Sequence, residues 1–205
     1  GGGTDPNVAV TNRPLFSLPH SITSTADGIA ASYAADLDGD GDLDLLSASE
    51  VDSIIGWFRN LDGKGTFGSR QLIDDSIGGA ARVVAADLDR DGDLDVVAAG
   101  DASGTLTWEE NVDGVGGAWS SHFLTPAPST RSLAVADFNG DGMPDILTGN
   151  IVAEWRENQL DEIGDFGSPQ MIALWALPVD AVAAGDIDGD GDVDVATGNS
   201  GDQLS

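Results

Sequence analysis

With 205 residues, 40% of them apolar, the chain is long enough to bury a sizeable core and too apolar for disorder to explain its acidity. Its 36 acidic residues against 8 basic ones give a formal charge of -28, which opposes nucleic acid and anionic membranes as partners. The lack of cysteine excludes disulfides and thiolate chemistry, and no apolar run of about 18 residues is present to enter a membrane directly.

Residues 1–12 are polar and turn-rich, without the basic and apolar parts of a secretory signal. Pro6 and Pro14 discourage a helix there, while N-V-A-V can form a short edge strand. Residues 15–21 stand before the first acidic motif much as 71–77 stand before the second, so they read as the last strand of a preceding or split unit.

The first acidic motif, D-L-D-G-D-G-D-L-D, covers 36–44. It returns as D-L-D-R-D-G-D-L-D at 87–95, D-F-N-G-D-G-M-P-D at 137–145 and D-I-D-G-D-G-D-V-D at 186–194. The starts lie 51, 50 and 49 residues apart, and the four copies hold 18 of the 36 acids. That period marks a repeat architecture, in which a unit buries its apolar face against a neighbour. The clustering of charge implies bound cations more than diffuse solvation.

Each motif lies between two short strands. I-A-A-S-Y-A-A, A-R-V-V-A-A, S-L-A-V-A and A-V-A-A-G precede the four copies, and L-D-L-L-S-A, L-D-V-V-A-A, P-D-I-L-T and V-D-V-A-T follow them. Short apolar runs bounded by Asp and Gly predict buried or half-buried strands, and 28 glycines argue against helix. A third strand carries a recurring Trp and Asn: I-I-G-W-F-R-N, T-L-T-W-E-E-N and V-A-E-W-R-E-N. Turns then lead to a fourth strand beginning near Phe67, Trp119 and Phe166.

Four antiparallel strands in about 50 residues are the size of a propeller blade, so the expected fold is an all-β propeller. The expected organisation is one repeat domain over 1–205. Its units lie near 23–74, 75–125 and 126–173, with a partial one at 174–205 and the last strand of another at 14–22. Aligning 198–205 on 100–108 stops the fourth unit inside its third strand, which the strand at 15–21 could complete. Completion in cis gives a four-bladed ring; completion in trans gives an eight-bladed dimer or an open array.

The motif has the chemistry of a calcium loop. Positions 1, 3, 5 and 9 offer side-chain oxygens: Asp36, Asp38, Asp40 and Asp44; Asp87, Asp89, Asp91 and Asp95; Asp137, Asn139, Asp141 and Asp145; Asp186, Asp188, Asp190 and Asp194. Position 7, occupied by Asp42, Asp93, Met143 and Asp192, offers its backbone carbonyl. Glycine at position 6 lets the chain turn around the ion, and crowded carboxylates repel one another without a cation. The expected cofactor is up to four Ca2+ ions, one per loop. Asn139 keeps an oxygen but removes one charge, and Arg90, in place of a position 4 glycine, is expected to point to solvent. An EF-hand needs Glu at position 12 and flanking helices, whereas position 12 is Ser47, Ala98, Thr148 and Thr197 between strands. Magnesium suits the loop less well, because it retains water and demands octahedral geometry.

Other residues read as structural. Trp57, Trp108 and Trp155 are expected to fill the wedges between sheets, with sugar stacking as the alternative. Trp119 and Trp175, off the strict pattern, are the better candidates for an exposed platform. Asn60, Asn111 and Asn158 are expected to fix turns through side-chain to backbone bonds. His20 and His122 occupy equivalent fourth-strand positions, and Glu109, Glu110, Glu154 and Glu157 read as a solvated face. No nucleophile elbow or phosphate loop is present, so no enzymatic role is expected of this chain.

The D-x-[DN]-x-D-G-x-x-D loops, the 50-residue period and the W-x-x-N strand followed by G-x-F resemble the FG-GAP and VCBS repeat family. These are calcium-loop propellers that include the integrin alpha head. The resemblance covers nearly all of 15–205, although the family's rings usually have more units than the four visible here. It implies calcium stiffening the loop between a blade's first two strands, in a secreted or cell-surface protein. The leading expectation is adhesion or protein assembly. The alternatives are carbohydrate binding, a non-catalytic scaffold of a polysaccharide-degrading enzyme, and self-assembly through the split blade. Partners are then protein or glycan.

Overall fold

The acidic motifs close hairpins, and the hairpins grow into sheets. The computed structural model describes residues 21–22, 26–124, 126, 130–173 and 178–199. The expected strands N-V-A-V and 15–21 (apart from Ser21) and the remainder of the fourth unit after 199 fall outside that set.

In the first unit β1 (Ile29–Ala35), β2 (Asp44–Ser49), β3 (Ile54–Phe58) and β4 (Gln71–Asp74) form an antiparallel sheet in chain order. The second repeats it with β5 (Ala80–Ala86), β6 (Asp95–Gly100), β7 (Thr105–Asn111) and β8 (Trp119–Leu124). The third uses β9 (Ser132–Ala136), β10 (Asp145–Gly149) and β11 (Ala153–Arg156). It then inserts a two-strand ribbon, β12 (Asn158–Gln159) with β13 (Asp165–Phe166), around the helical turn α1 (Leu160–Ile163), and closes with β14 (Gln170–Ala173). In the fourth, β15 (Val179–Gly185) pairs with β16 (Asp194–Asn199). The first hairpin of each unit closes on an equivalent pair: Ala35 with Asp44, Ala86 with Asp95, Ala136 with Asp145 and Gly185 with Asp194.

The fourth strand departs from expectation in two units. Trp119 does begin β8, but Phe67 makes only an isolated bridge to Asn60, and Phe166 only the ribbon with Asn158. The sheet strands resume at Gln71 and Gln170. Glycine follows both phenylalanines, and Gly68 and Gly167 donate instead to the Arg59 and Glu157 carbonyls. Pro169, which lacks an N–H, further delays pairing in the third unit. The helical turn arises where L-D-E-I meets Gly164, whose φ of 71° and N–H to Leu160 end it.

The sheets pack face to face in chain order. One core joins Leu46, Ala48, Ile55 and Trp57 of the first to Ile77, Val83, Val96 and Ala98 of the second. The next joins Val97, Leu106, Trp108 and Leu124 to Ile146 and Phe166, and the third joins Leu147 and Ala153 to Val179. Trp57 and Trp108 are buried in successive seams and half-buried Trp155 lies in the third, which places these residues as interface fillers. Strand alternation explains the arrangement: successive side chains on a central strand face opposite neighbours, so every apolar residue of β6 finds a seam. The loops at the β1/β2 type of hairpin thereby line up along one rim of the stack.

Candidate functional site

Each acidic loop is built by its own carboxylates capping its own backbone. At position 1, Asp36 accepts from the N–H of Asp40 (3.1 Å) and Gly41 (2.9 Å). Asp137 does so from Gly140, Asp141 and Gly142, and Asp186 from Gly189 and Gly191. Position 3 accepts from the N–H of position 5, and position 5 from that of position 7, in all four loops. The position 6 glycines have φ of 92°, 100°, 88° and 98°, a conformation that side chains resist.

This folding gathers oxygens. Those of Asp36, Asp38 and Asp40, of Asp87, Asp89 and Asp91, and of Asp186, Asp188 and Asp194 lie within 4.8 Å of one another. In the third loop the Asn139 amide donates to Asp141 (2.8 Å) and to Glu157 (3.1 Å). Position 9 plays a different part in the first three loops. Asp44, Asp95 and Asp145 are fully buried, and each spends one oxygen on the N–H of position 2 and the other on that of Asn60, Asn111 or Asn158. The position 7 side chains diverge: Asp42 and Asp93 lean over Gly63 and Gly114 of the next turn, Met143 is buried, and Asp192 is exposed.

The chemistry of this donor set fits a hard divalent cation. Asp87 Oδ1, in the gathered set of the second loop, is buried with no hydrogen-bond partner, a costly state that a metal ion relieves. Burial, reinforced by Asp91, Asp89, Asp87 and Asp113, pushes Asp93 up to about 6. Burial likewise pushes Asp95 up to about 7 and Asp145 to about 6, against the backbone N–H groups that favour their charged forms. Clusters of acidic side chains that can coordinate a divalent cation are therefore present in three loops.

The loops are also tied to one another. Asn111 Nδ2 donates to its own unit's Leu94 carbonyl (3.3 Å) and to Leu37 of the preceding loop (3.2 Å). Asn158 repeats this with Pro144 (3.0 Å) and Leu88 (2.8 Å). Their Oδ1 atoms accept from Gly116 and Leu160, as that of Asn60 does from Gly65, so the expected turn role is present. The bond to the preceding unit is additional, and no reading of one unit alone could reveal it.

Several expectations are corrected. Arg90 is exposed, as expected, but it is not left to solvent alone: from a left-handed φ of 64° it reaches the third loop and donates to the Gly142 (3.1 Å) and Asp141 (3.4 Å) carbonyls. Glu109 is no part of a solvated face, because it is 1% exposed in the first seam, whereas Glu110, Glu154 and Glu157 are half-buried. Trp119 packs against that same seam and donates to Gly116, so it forms no platform. His122 stacks on Trp108 at 4.3 Å and meets Glu110 at 2.8 Å, a structural setting. Trp175 and His20 lie outside the described residues. Arg59, which pairs with Asp38 (2.7 Å) and Asp40 (2.9 Å), was not singled out in the sequence, although its fixed place before Asn60 was visible there.

Between the third and fourth loops opens a cleft of about 260 Å³, lined by Asp137, Phe138, Asn139, Gly140, Gly191, Asp192 and Val193. It sets carboxylate and amide oxygens beside an aromatic ring and two side-chain-free backbone positions.

Comparison with known proteins gives two kinds of likeness. A model of the FG-GAP-like repeat matches residues 36–98 and 87–148. No curated protein matches the sequence. Among solved structures, an Agrocybe aegerita lectin that recognises non-reducing terminal N-acetylglucosamine superposes with a TM-score of 0.56 at 23% identity, over 82% of this chain and 46% of the lectin. The V. cholerae biofilm matrix protein Bap1 gives 0.48 at 23% identity, over 82% of this chain and 23% of that protein. The chain thus spans about half the length of the lectin.

Proposed function

The chain belongs to the FG-GAP-like repeat family, and from that premise we propose that it is an extracellular, calcium-stabilised propeller module that binds glycans. In this reading the stacked sheets are successive blades. Each loop holds one Ca2+ through positions 1, 3, 5 and 9 and the position 7 carbonyl. Asp44, Asp95 and Asp145 already hold two N–H groups each, yet every carboxylate oxygen keeps a second lone pair for the ion. Bound calcium would neutralise the crowded carboxylates, and the chain's own Asn and Arg bridges would pass that rigidity from loop to loop.

The cleft between the third and fourth loops carries the glycan reading. Sugars present hydroxyl donors around an apolar ring face, and the cleft offers the exposed Asp192 carboxylate, which the calcium reading leaves uncommitted, as an acceptor across from Phe138. That a lectin shares this fold supports the assignment. Glycan capture is placed ahead of direct protein adhesion because the cleft has the size of a small ligand, and adhesion then follows from binding a glycosylated surface. The module is assigned no catalytic step.

A glycan array probed in calcium and in EGTA tests the proposal. Binding should appear in calcium, and Val193→Trp, which adds bulk to the cleft wall without altering a loop carboxylate, should abolish it while the protein stays folded. Array-wide silence in calcium would refute glycan binding, and undiminished binding by V193W would refute the cleft as its location.

A further inference from the structure

At one place in the repeat the charge changes sign. The residue just before the third strand's asparagine is Arg59 in the first unit, Glu110 in the second and Glu157 in the third. In the first and third units this side chain contacts position 3 of its own loop. Arg59 Nε lies 2.7 Å from Asp38 Oδ2, and its Nη2 lies 2.9 Å from Asp40 Oδ2. Glu157 Oε1 accepts from Asn139 Nδ2 at 3.1 Å, whereas Glu110 meets His122 Nε2 at 2.8 Å and bears on Asp89 only through its charge.

The consequences differ loop by loop. In the third unit Glu157 returns, beside the loop, the negative charge that Asn139 removes from it. In the second, Glu110 adds a charge to a loop that already has five Asp residues. In the first, the guanidinium supplies a positive charge to two of the three gathered carboxylates. The Asp38 side chain is only 2% exposed, so its charge is balanced by Arg59 and little by water. A planar, always-charged fork that engages two carboxylates occupies the same electrostatic role as a cation.

We propose that Arg59 is an internal counter-ion of the first loop, competing with a divalent cation for Asp38 and Asp40, so that the four loops fill unequally and the first fills last. This rests on the reading of the loops as cation sites. For an ion to take Asp38 and Asp40, the guanidinium must swing away, and its half-exposed side chain has solvent to swing into. The residue before the asparagine thus tunes the affinity of its own loop, most strongly in the first unit, without being a ligand itself.

Calcium titration calorimetry on the whole chain, stripped with EGTA and held at constant ionic strength, tests this. Arg59→Gln should strengthen one site by about tenfold or more and leave the others unchanged, the scale expected for removing one charge at ion-pair distance. Arg59→Lys, which keeps the charge but loses the fork, should fall between the two and serves if R59Q folds poorly. In wild-type protein the Arg59 Nε–H resonance should move only in the last binding step. Calcium isotherms of R59Q and R59K that superimpose on the wild type would overturn the counter-ion role while leaving the cation reading intact. No calcium binding by any of the proteins would overturn the cation reading, and the proposal with it.

Discussion

Replacing Glu109 by glutamine should stabilise the protein at alkaline pH and do little at acid pH. Glu109 sits in the seam between the first two sheets at 1% exposure, with Asp74 of β4 facing it and Ser121 of β8 donating to its Oε1 at 3.1 Å. Burial, with the Asp74 carboxylate adding to it, pushes its carboxyl from 4.5 up to about 7. A raised acid binds more protons in the native state than in the unfolded one across that window. Stability therefore falls as pH rises from about 4.5 to about 7, and the full penalty persists above. At 1.36 kcal/mol per pKa unit the penalty is about 3 kcal/mol at pH 8 and under about 1 kcal/mol at pH 5. Glutamine reproduces the protonated form, with an oxygen for Ser121 and an amide to donate to Asp74, and carries no charge to desolvate. Urea unfolding in saturating calcium at the two pH values measures the difference. An E109Q variant equally stabilised at both, or destabilised at pH 8, would refute the assignment of a charge penalty to this seam.

Three other outcomes are expected. Calcium should raise the melting temperature and EGTA lower it, each site adding about 2.7 kcal/mol at a hundredfold excess over its Kd. The gain should shrink from pH 8 to pH 5, because ions must displace protons from Asp95, held at about 7, and from Asp145, held at about 6; calorimetric scans that ignore both calcium and pH would contradict this. Asn158→Ala removes bonds to Leu88, Pro144 and Leu160 at a 3% exposed site and should cost about 2–4 kcal/mol in urea unfolding, more than Asn60→Ala, whose described bonds stay within its own unit. Gly116→Ala places a Cβ 2.6 Å from Trp57 Cζ2 at a φ of 70°, so a loss of about 1–3 kcal/mol is expected, and an unchanged midpoint would show that Trp57 is not held by this turn.

Periodicity alone located the hairpins, because an acidic loop between two short apolar strands is a local pattern complete within about twenty residues. The limits of each unit's first two strands, the turns at the position 6 glycines and the placement of Trp57, Trp108 and Trp155 in seams were legible from one unit compared with its copies, whereas the start of the fourth strand was not. The candidate oxygens were legible too, although not their division of labour. Position 9 of the first three loops looked like one more ligand, and only the fold shows it also clamping the N–H groups of position 2 and the distant asparagine.

What depended on how neighbouring units approach one another was hidden. Glu109 stands beside Glu110 in the sequence as a pair of solvated acids would, yet a β-strand between two packed sheets has no solvated face, and Asp74 of the first sheet meets it. Arg90 and Asn158 reach across to loops 52 and 70 residues away in the chain, and Trp119 falls into a seam that its own unit only half forms. The repeat, its hairpin strands and its acidic loops follow from the order of residues alone, since their causes are short-range steric and hydrophobic preferences. Which charges are buried and which loops are bridged depends on the packing of one unit against the next, and where Arg59 rests depends on the third strand folding back over its own loop, since such distances are not written in any short stretch of chain.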